Sequence, residues 1–572
     1  MRLTFIIVLA LAPLWLVGLF GRQLWTPDEP READIAWRMS QQSDRSLPQL
    51  AGSPFLEKPP LSYWMAAAGI ALFGDSAAGA RAPLLLCALL TALALAALAR
   101  GMGLGTSAAL VAALVAGSAL SLYRVSSWLA PDAALLAGNA LALLGVWRGY
   151  TAAPGRAKAW GYALMHAGAA IGFMAKSAPG WLVPGLVFAG LILWERRWPE
   201  LRRWELYAGF LLQVLIIGPW LWTVALGAHG AEALSVLFWN NLAGRFAHID
   251  APAALNYSAG HPNHFGKYFI ELPFYLLPWT LICAAGLVRA CRHCREAAPA
   301  GTAWRFALLA SVPFLVLLSL AATARDIYAA PALLGFALLA ALWLQDTQAA
   351  PRPLDGACLT GTQGLIALIA LLLAGGLAVL VLAGEAAGAP ALATIAAILV
   401  FAVLALAAAR RAQRRGDFSG SVVYSYGAYA AAVTLSAFIA FPVIDRGQDL
   451  RALADAVRSD TQQQPLALLA PDETTLAIMD HGHAGSFTVL DDNEPATVRG
   501  WFDARGPRAR VLVLLPGHAA GPLTQWLARW LTLAEPGNGV AAELVNGGAA
   551  SLLRLYELPQ GRRYALLGPP QH

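Results

Sequence analysis

Long apolar runs separated by short polar stretches occupy most of the chain, at residues 3–20, 83–99, 105–122, 131–149, 159–174, 179–194, 206–225, 273–290, 304–322, 327–344, 364–383, 389–409 and 423–443. A helix needs about 20 such residues to cross roughly 30 Å of hydrocarbon, so the pattern predicts about thirteen membrane-spanning helices. From about 445 the pattern changes. Helical and strand-like stretches alternate at 449–458, 466–469, 473–479, 487–490, 498–504, 511–515, 523–533 and 551–556, which predicts a small α/β domain. The expected fold is mainly α: a polytopic membrane domain over 1–444, with outer loops at 21–82 and 226–272, followed by an α/β domain over 445–572.

Basic residues in the short loops set the orientation. Arg100, Arg148, Arg156, Lys158, Arg196, Arg197, Arg202, Arg203, Arg289, Arg292, Arg295, Arg410, Arg411, Arg414 and Arg415 all fall on one side. With that side cytoplasmic, the N-terminus is inside, and loops 21–82, 123–130, 175–178, 226–272 and 323–326 lie outside with the tail. In a bacterium this places the chain in the inner membrane and its outer loops in the periplasm. The first run follows Arg2 and precedes a charged loop with candidate chemistry, so it reads as an uncleaved anchor rather than a signal peptide.

Composition agrees. Of 572 residues 58% are hydrophobic and 13% charged, with mean hydropathy +0.57, whereas soluble domains carry about a quarter charged residues. An ordinary cytosolic enzyme is excluded. From Asp445 onward 14 acidic and 11 basic residues give −3, against 29 basic and 20 acidic, +9, before it. A basic membrane part with an acidic tail argues against a nucleic-acid partner and suits anionic lipid or phosphate chemistry. Cys87 and Cys283 lie in apolar runs and Cys291, Cys294 and Cys358 on the cytoplasmic side, so no disulfide framework is indicated. Cys291 and Cys294 have metal-like spacing but no second pair nearby. The tail has no nucleotide-binding fingerprint and reads as a periplasmic cap.

With so few charges, those in the outer loops stand out. Asp28-Glu29-Pro30-Arg31 opens a stretch in which Ile35 and Met39 recur at helical spacing. This predicts a short interfacial helix with two carboxylates near its positive end, although a plain solvated amphipathic helix has the same pattern. Glu57-Lys58-Pro59-Pro60 precedes an aromatic, apolar helix containing Tyr63 and Trp64. The prolines hold an extended turn, so Glu57 and Lys58 stand at the membrane surface, either to position a polar ligand or as a surface ion pair.

Asp132 begins a span, as a helix cap or as a site residue, and Lys176 sits in a short outer hairpin with little else polar around it. Arg245, Arg325 and Tyr328 lie on the same side. Ionisable residues at such depth commonly face water-filled, functional cavities. Lys58, Lys176 and Lys267 are three of only four lysines, all on the outer face; a compact ammonium suits phosphate. His229, His248, His261 and His264 in the large loop are spaced too irregularly for a helical metal pair, and Glu57 is the carboxylate that would complete a site there.

Together these motifs resemble a known family. Asp28-Glu29-Pro30-Arg31, Ile35-Ala36 and Met39, then Phe55-Leu56-Glu57-Lys58-Pro59-Pro60-Leu61-Ser62-Tyr63-Trp64, resemble the first-loop signature of bacterial relatives of the protein O-mannosyltransferases, especially the aminoarabinose transferases that modify lipid A. Pro131-Asp132, Lys176, Gly218-Pro219-Trp220, Asn241 with Arg245-Phe246, and Leu277-Pro278-Trp279 extend the similarity to about residue 345. Glu32 stands where the family commonly has an aromatic residue, and Arg325-Asp326-Ile327-Tyr328 matches the usual basic-aromatic segment loosely.

The resemblance implies a C-type glycosyltransferase fold, an active site at the outer surface and a polyprenyl-monophosphate sugar donor. Cleaving the sugar–phosphate bond leaves an anion that cationic groups must meet, for which Lys58, Arg31, Lys176, Arg245 and Arg325 are candidates. Asp28 is the expected base toward a hydroxyl acceptor, with Asp132 second or orienting, and Glu29, Glu57, Tyr63 and Tyr328 complete the substrate-binding set. Toward a phosphate acceptor, already ionised, Asp28 would position it or steady the oxocarbenium-like sugar. Direct displacement predicts inversion. The scheme needs no cofactor and no divalent metal, though it leaves room for a metal beside Glu57. The acceptor is a lipid A-like glycolipid, a polysaccharide or a protein. The competing reading is a polytopic transporter or flippase of lipid-linked sugar, for which repeated halves and polar groups near the midplane would be expected.

Overall fold

The computed structural model describes residues 2–227, 230–240, 263–323, 325–462, 464–483, 486–492, 494–516, 539–558 and 562–570. They form two compact units. The first comprises Met1–Gly21, Phe55–Met65 and Arg81–Ala440; the second comprises Arg22–Pro54, Ala66–Ala80 and Phe441–His572. The division therefore differs from a single cut at 444, because much of the first outer loop groups with the C-terminal residues.

Most residues of each apolar run read from the sequence lie on helix. Among the described residues eight helices are long and apolar enough to cross a membrane, or nine when the bent pair Thr106–Ser118 and Leu120–Ser127 is taken as one span. That pair departs from the straight span expected over 105–122: it bends by 63°. The Leu120 N–H donates to the Leu277 carbonyl at 2.8 Å, giving a backbone group at the break the partner it needs in hydrocarbon. The run at 273–290 is likewise divided, into Lys267–Tyr275 and Thr280–His293, around Pro278, which cannot donate to a helical ladder.

Helices Asp132–Thr151 and Arg156–Lys176 form a tight hairpin. Its seam is glycine on both sides. A Cβ at Gly145 would stand 2.1 Å from Met165 N, one at Gly138 2.5 Å from Gly172 N, and one at Gly161 2.3 Å from Gly149 N. Backbone thus meets backbone, the close approach that small residues permit between membrane helices. The ends of this hairpin carry Asp132 and Lys176.

The second unit holds a five-stranded sheet. We label the two short strands of the first loop β1 (Gln49–Leu50) and β2 (Ser53–Pro54), and the sheet strands β3 (Leu466–Leu469), β4 (Phe487–Leu490), β5 (Arg510–Leu515), β6 (Ser551–Glu557) and β7 (Arg563–Gly568). The order is β4-β3-β5-β7-β6, with β3 parallel to β4 and β5, and β7 antiparallel to β5 and β6. Alternation sorts the side chains. Ala467, Leu469, Val511, Val513, Ala565 and Leu567 pack with Val498, Trp501, Phe502 and Leu544 from helices Pro495–Arg505 and Val540–Asn546. Leu466, Leu468, Leu512, Leu514 and Leu566 pack with Leu453, Val457 and Met479 from helices Arg451–Thr461 and Glu473–His483. The α/β domain expected from the pattern is present with helices on both faces. The stretch expected at 523–533 lies outside the described residues.

Candidate functional site

In the second unit the first loop forms helix Asp28–Gln41, as its proline punctuation predicts. Nine of its 14 residues are buried, Ile35 and Met39 among them, so it is no solvated surface helix. It packs along helix Glu473–His483. Glu29 is fully buried, and Arg22 grips it with two bonds of 2.5 and 3.0 Å while the Trp25 N–H donates to it at 2.8 Å. It holds the start of the helix that carries Asp28. Asp28 accepts from Arg31 Nη2 at 3.3 Å, and the same nitrogen serves Glu32 at 3.0 Å while Nη1 bonds Glu473. Arg31, a candidate for the leaving phosphate, is thus engaged by three carboxylates.

One turn further along, Asp34 is 2% exposed and Asp480 is fully buried. Burial, followed by the neighbouring Asp480 carboxylate, holds the Asp34 carboxyl well above the usual carboxylate range, against the smaller opposing pulls of the Ala51 N–H and Arg38. The folded protein therefore binds this proton more tightly than the unfolded chain. Stability is full below the ordinary carboxylate value of about 4 and falls as pH rises from there through the raised folded value. Asp34→Asn, which keeps a donor toward Asp480, should narrow the difference in Tm between about pH 5 and about pH 8 and raise Tm at the higher pH. A pH response identical to that of the parent protein would show that Asp34 carries no such proton.

The remaining described candidates lie in the first unit. Lys176 Nζ donates to Asp132 Oδ1 at 2.5 Å and stands 4.6 Å from the centre of the Tyr328 ring. Asp132 is 2% exposed and is the first residue of its helix, whose N-cap is Pro131, and its side chain pairs with Lys176. Beside Tyr328, Asp326 pairs with Arg124 at 2.5 Å, and the Arg325 carbonyl accepts from Tyr268 Oη at 3.2 Å. Glu57 and Lys58 face each other at 3.7 Å, with side chains only 11% and 13% exposed, so this is not a solvated surface pair. Tyr63 is buried in the helix that follows, Leu61–Phe73. Arg245, His229, His248 and His261 lie outside the described residues. Among the described residues no three His, Cys, Asp or Glu side chains are grouped to hold a metal ion.

Sequence reasoning missed Arg22, Arg124, Asp326 and Glu473. Arg22 pairs with Glu29 only seven positions away, but Arg124 meets Asp326 across 202 positions and Arg31 meets Glu473 across 442, which no local spacing announces.

A many-helix membrane part with buried acid–base pairs and an α/β domain defines a class, and comparison with known proteins agrees with it. Residues 57–222 match the model of the dolichyl-phosphate-mannose-protein mannosyltransferase family, a segment that includes Glu57, Lys58, Tyr63, Asp132 and Lys176. Among similar proteins are the undecaprenyl phosphate-alpha-4-amino-4-deoxy-L-arabinose arabinosyl transferases of Pseudomonas aeruginosa, 30% identical over 292 residues and 51% of each chain, and of Edwardsiella ictaluri, 32% identical over 265 residues and 46% of each chain. The chain spans about half the length of these curated relatives. Among solved structures, ArnT from Cupriavidus metallidurans bound to undecaprenyl phosphate superposes with a TM-score of 0.71 at 20% identity, covering 98% of this chain and 97% of that one. The Archaeoglobus fulgidus oligosaccharyltransferase superposes with a TM-score of 0.50 at 12% identity, covering 89% and 67%. The chain has the fold of that ArnT structure, is a multi-pass membrane protein by its apolar helices, and is similar to the aminoarabinose transferases over about half its length.

Proposed function

We propose that this protein is a bacterial inner-membrane glycosyltransferase that moves a sugar from a polyprenyl monophosphate to an acceptor at the periplasmic face, with inversion. A 4-amino-4-deoxy-arabinose-type sugar and a lipid A-like acceptor are favoured. The observation that carries the proposal is the match of residues 57–222 to a family of lipid-phosphate-dependent sugar transferases, because the buried Asp132–Lys176 pair and the Glu57–Lys58 pair fall within that segment. The names of the relatives favour transferase over flippase.

In this reading the outgoing phosphate is met by Lys58, Lys176, Arg245 and Arg325, since cations placed where charge develops lower the barrier most. Asp28 removes the proton of a hydroxyl acceptor. Toward an ionised phosphate acceptor it steadies the electron-poor sugar instead. Asp132 orients Lys176, and Glu57, Tyr63 and Tyr328 hold donor or acceptor. Arg31 and Glu29 act on Asp28 and its helix. The electron pair of the broken C–O bond leaves with the polyprenyl phosphate, so no redox partner is needed. Orientation follows from the basic loops, which put the C-terminal domain in the periplasm.

Mass spectrometry of envelope glycolipids and glycoproteins from cells with and without the gene tests the proposal. The expected result is a lipid A species that loses one amino-pentose increment in the deletion. A hexose missing from a polysaccharide or protein would keep the reaction class and change the substrates. Identical envelope profiles, together with no transfer from polyprenyl-phosphate sugars by the purified protein, would overturn it.

A further inference from the structure

Helix Glu473–His483 and helix Asp28–Gln41 are matched in charge. Glu473 and Asp480 are seven residues apart on one, Arg31 and Arg38 seven residues apart on the other, and seven residues are close to two helical turns. Each pair therefore shares a face, and the two faces meet. Arg31 bonds Glu473. Arg38 bonds Asp480, with Nε at 2.5 Å from Oδ2. The Thr474 hydroxyl donates to the Pro27 carbonyl at 3.1 Å, one residue from Asp28.

The division of Arg31 between its partners is uneven. Charge-assisted N–H···O bonds ordinarily measure about 2.7–2.9 Å. Arg31 gives Nη1 to Glu473 alone, whereas Nη2 is shared between Glu32 at 3.0 Å and Asp28 at 3.3 Å. An adjacent guanidinium favours the charged form of a carboxylate and weakens it as a base. Arg31 drawn fully onto Asp28 would do this; Arg31 drawn toward Glu473 does it less.

We propose that Glu473, in the C-terminal domain, is a positioning residue for Asp28. By holding Arg31 it limits how much positive charge Asp28 feels and keeps that carboxylate oriented and reactive. The inference rests on the transferase reading and on Asp28 as its reactive carboxylate. It applies whether Asp28 takes a proton or steadies the sugar cation, since both depend on its charge. It gives the C-terminal domain a part in the reaction. Asp480 has the matching geometric position on Arg38 but no link to Asp28, so it serves as the control.

The experiment uses the full-length protein in lipid nanodiscs, with transfer from a polyprenyl-phosphate sugar followed across pH. Glu473 is partly exposed, so Glu473→Gln disturbs little packing. It should lower kcat about tenfold, leave donor KM within about twofold, and move the acidic limb of the rate profile to lower pH as Arg31 turns to Asp28. Glu473→Asp should restore most of kcat. Asp480→Asn should lower Tm while leaving the acidic limb in place. A Glu473→Gln enzyme with the parent kcat and pH profile overturns the inference, as does a loss that Asp480→Asn reproduces in proportion to Tm. If Asp28→Asn itself turns over normally, it is the assignment of Asp28 that fails instead.

Discussion

Asp28→Asn should cut sugar transfer to a hydroxyl acceptor by about a thousandfold while the protein continues to express, fold and bind the lipid-linked donor. The substitution is nearly isosteric, and the amide oxygen can still accept from Arg31, so the bonds of Arg22 to Glu29 and of Arg31 to Glu32 and Glu473 are kept. What disappears is the ability to accept a proton. Removing a general base costs about 10²–10⁴ in rate, so residual turnover of roughly a thousandth is expected with a hydroxyl acceptor. With an ionised phosphate acceptor the loss should be smaller, because only the steadying of the sugar cation is removed. Single-turnover assays with each acceptor type separate the two. Parent-like rates with both would sink the assignment.

Lys176→Ala should cost the fold as well as the activity. Lys176 Nζ lies 2.5 Å from Asp132, whose side chain is 3% exposed, and removal of the ammonium leaves a buried carboxylate without its cation. Breaking such a pair from one side destabilises by about 3–5 kcal/mol, whereas replacing both partners by apolar residues of similar volume is often neutral. The double variant Asp132→Leu, Lys176→Met should therefore recover the thermal stability lost in Lys176→Ala. It should remain inactive if the lysine meets the donor phosphate. Full transfer activity in the double variant would reduce the pair to a structural tie.

The elements that could be read from the sequence are those whose signal is local. Each apolar run became helix because burial in lipid is decided residue by residue over about 20 positions. The strands at Leu466–Leu469, Phe487–Leu490 and Arg510–Leu515 declared themselves as short apolar runs between turn residues. Strand β7 was missed although Tyr564, Ala565, Leu566 and Leu567 form a buried apolar run of the same kind. The bend at Ala119 follows Gly117-Ser118, a pair that permits a kink but does not require one, and the group that supports it, the Leu277 carbonyl, comes from a distant segment. Candidate residues were legible where scarcity exposed them, as with Lys176. Their partners were legible only where they too stood at the outer end of a span, as Asp132 does; Glu473, in a tail rich in acids, carried no mark.

Residues 22–54 of the first loop fall in one unit with the C-terminal domain, and this bears on how the protein can be recombined. Arg31 and Arg38 bond Glu473 and Asp480, Thr26 bonds Gln448 at 2.6 Å, and Trp25 Nε1 bonds Asp445 at 2.7 Å. A chimera that exchanges residues after 444 for those of a relative would inherit an unmatched loop. Carrying residues 22–54 along with the transplanted tail is the graft that keeps these contacts in register, and the two stretches are expected to have drifted together through descent.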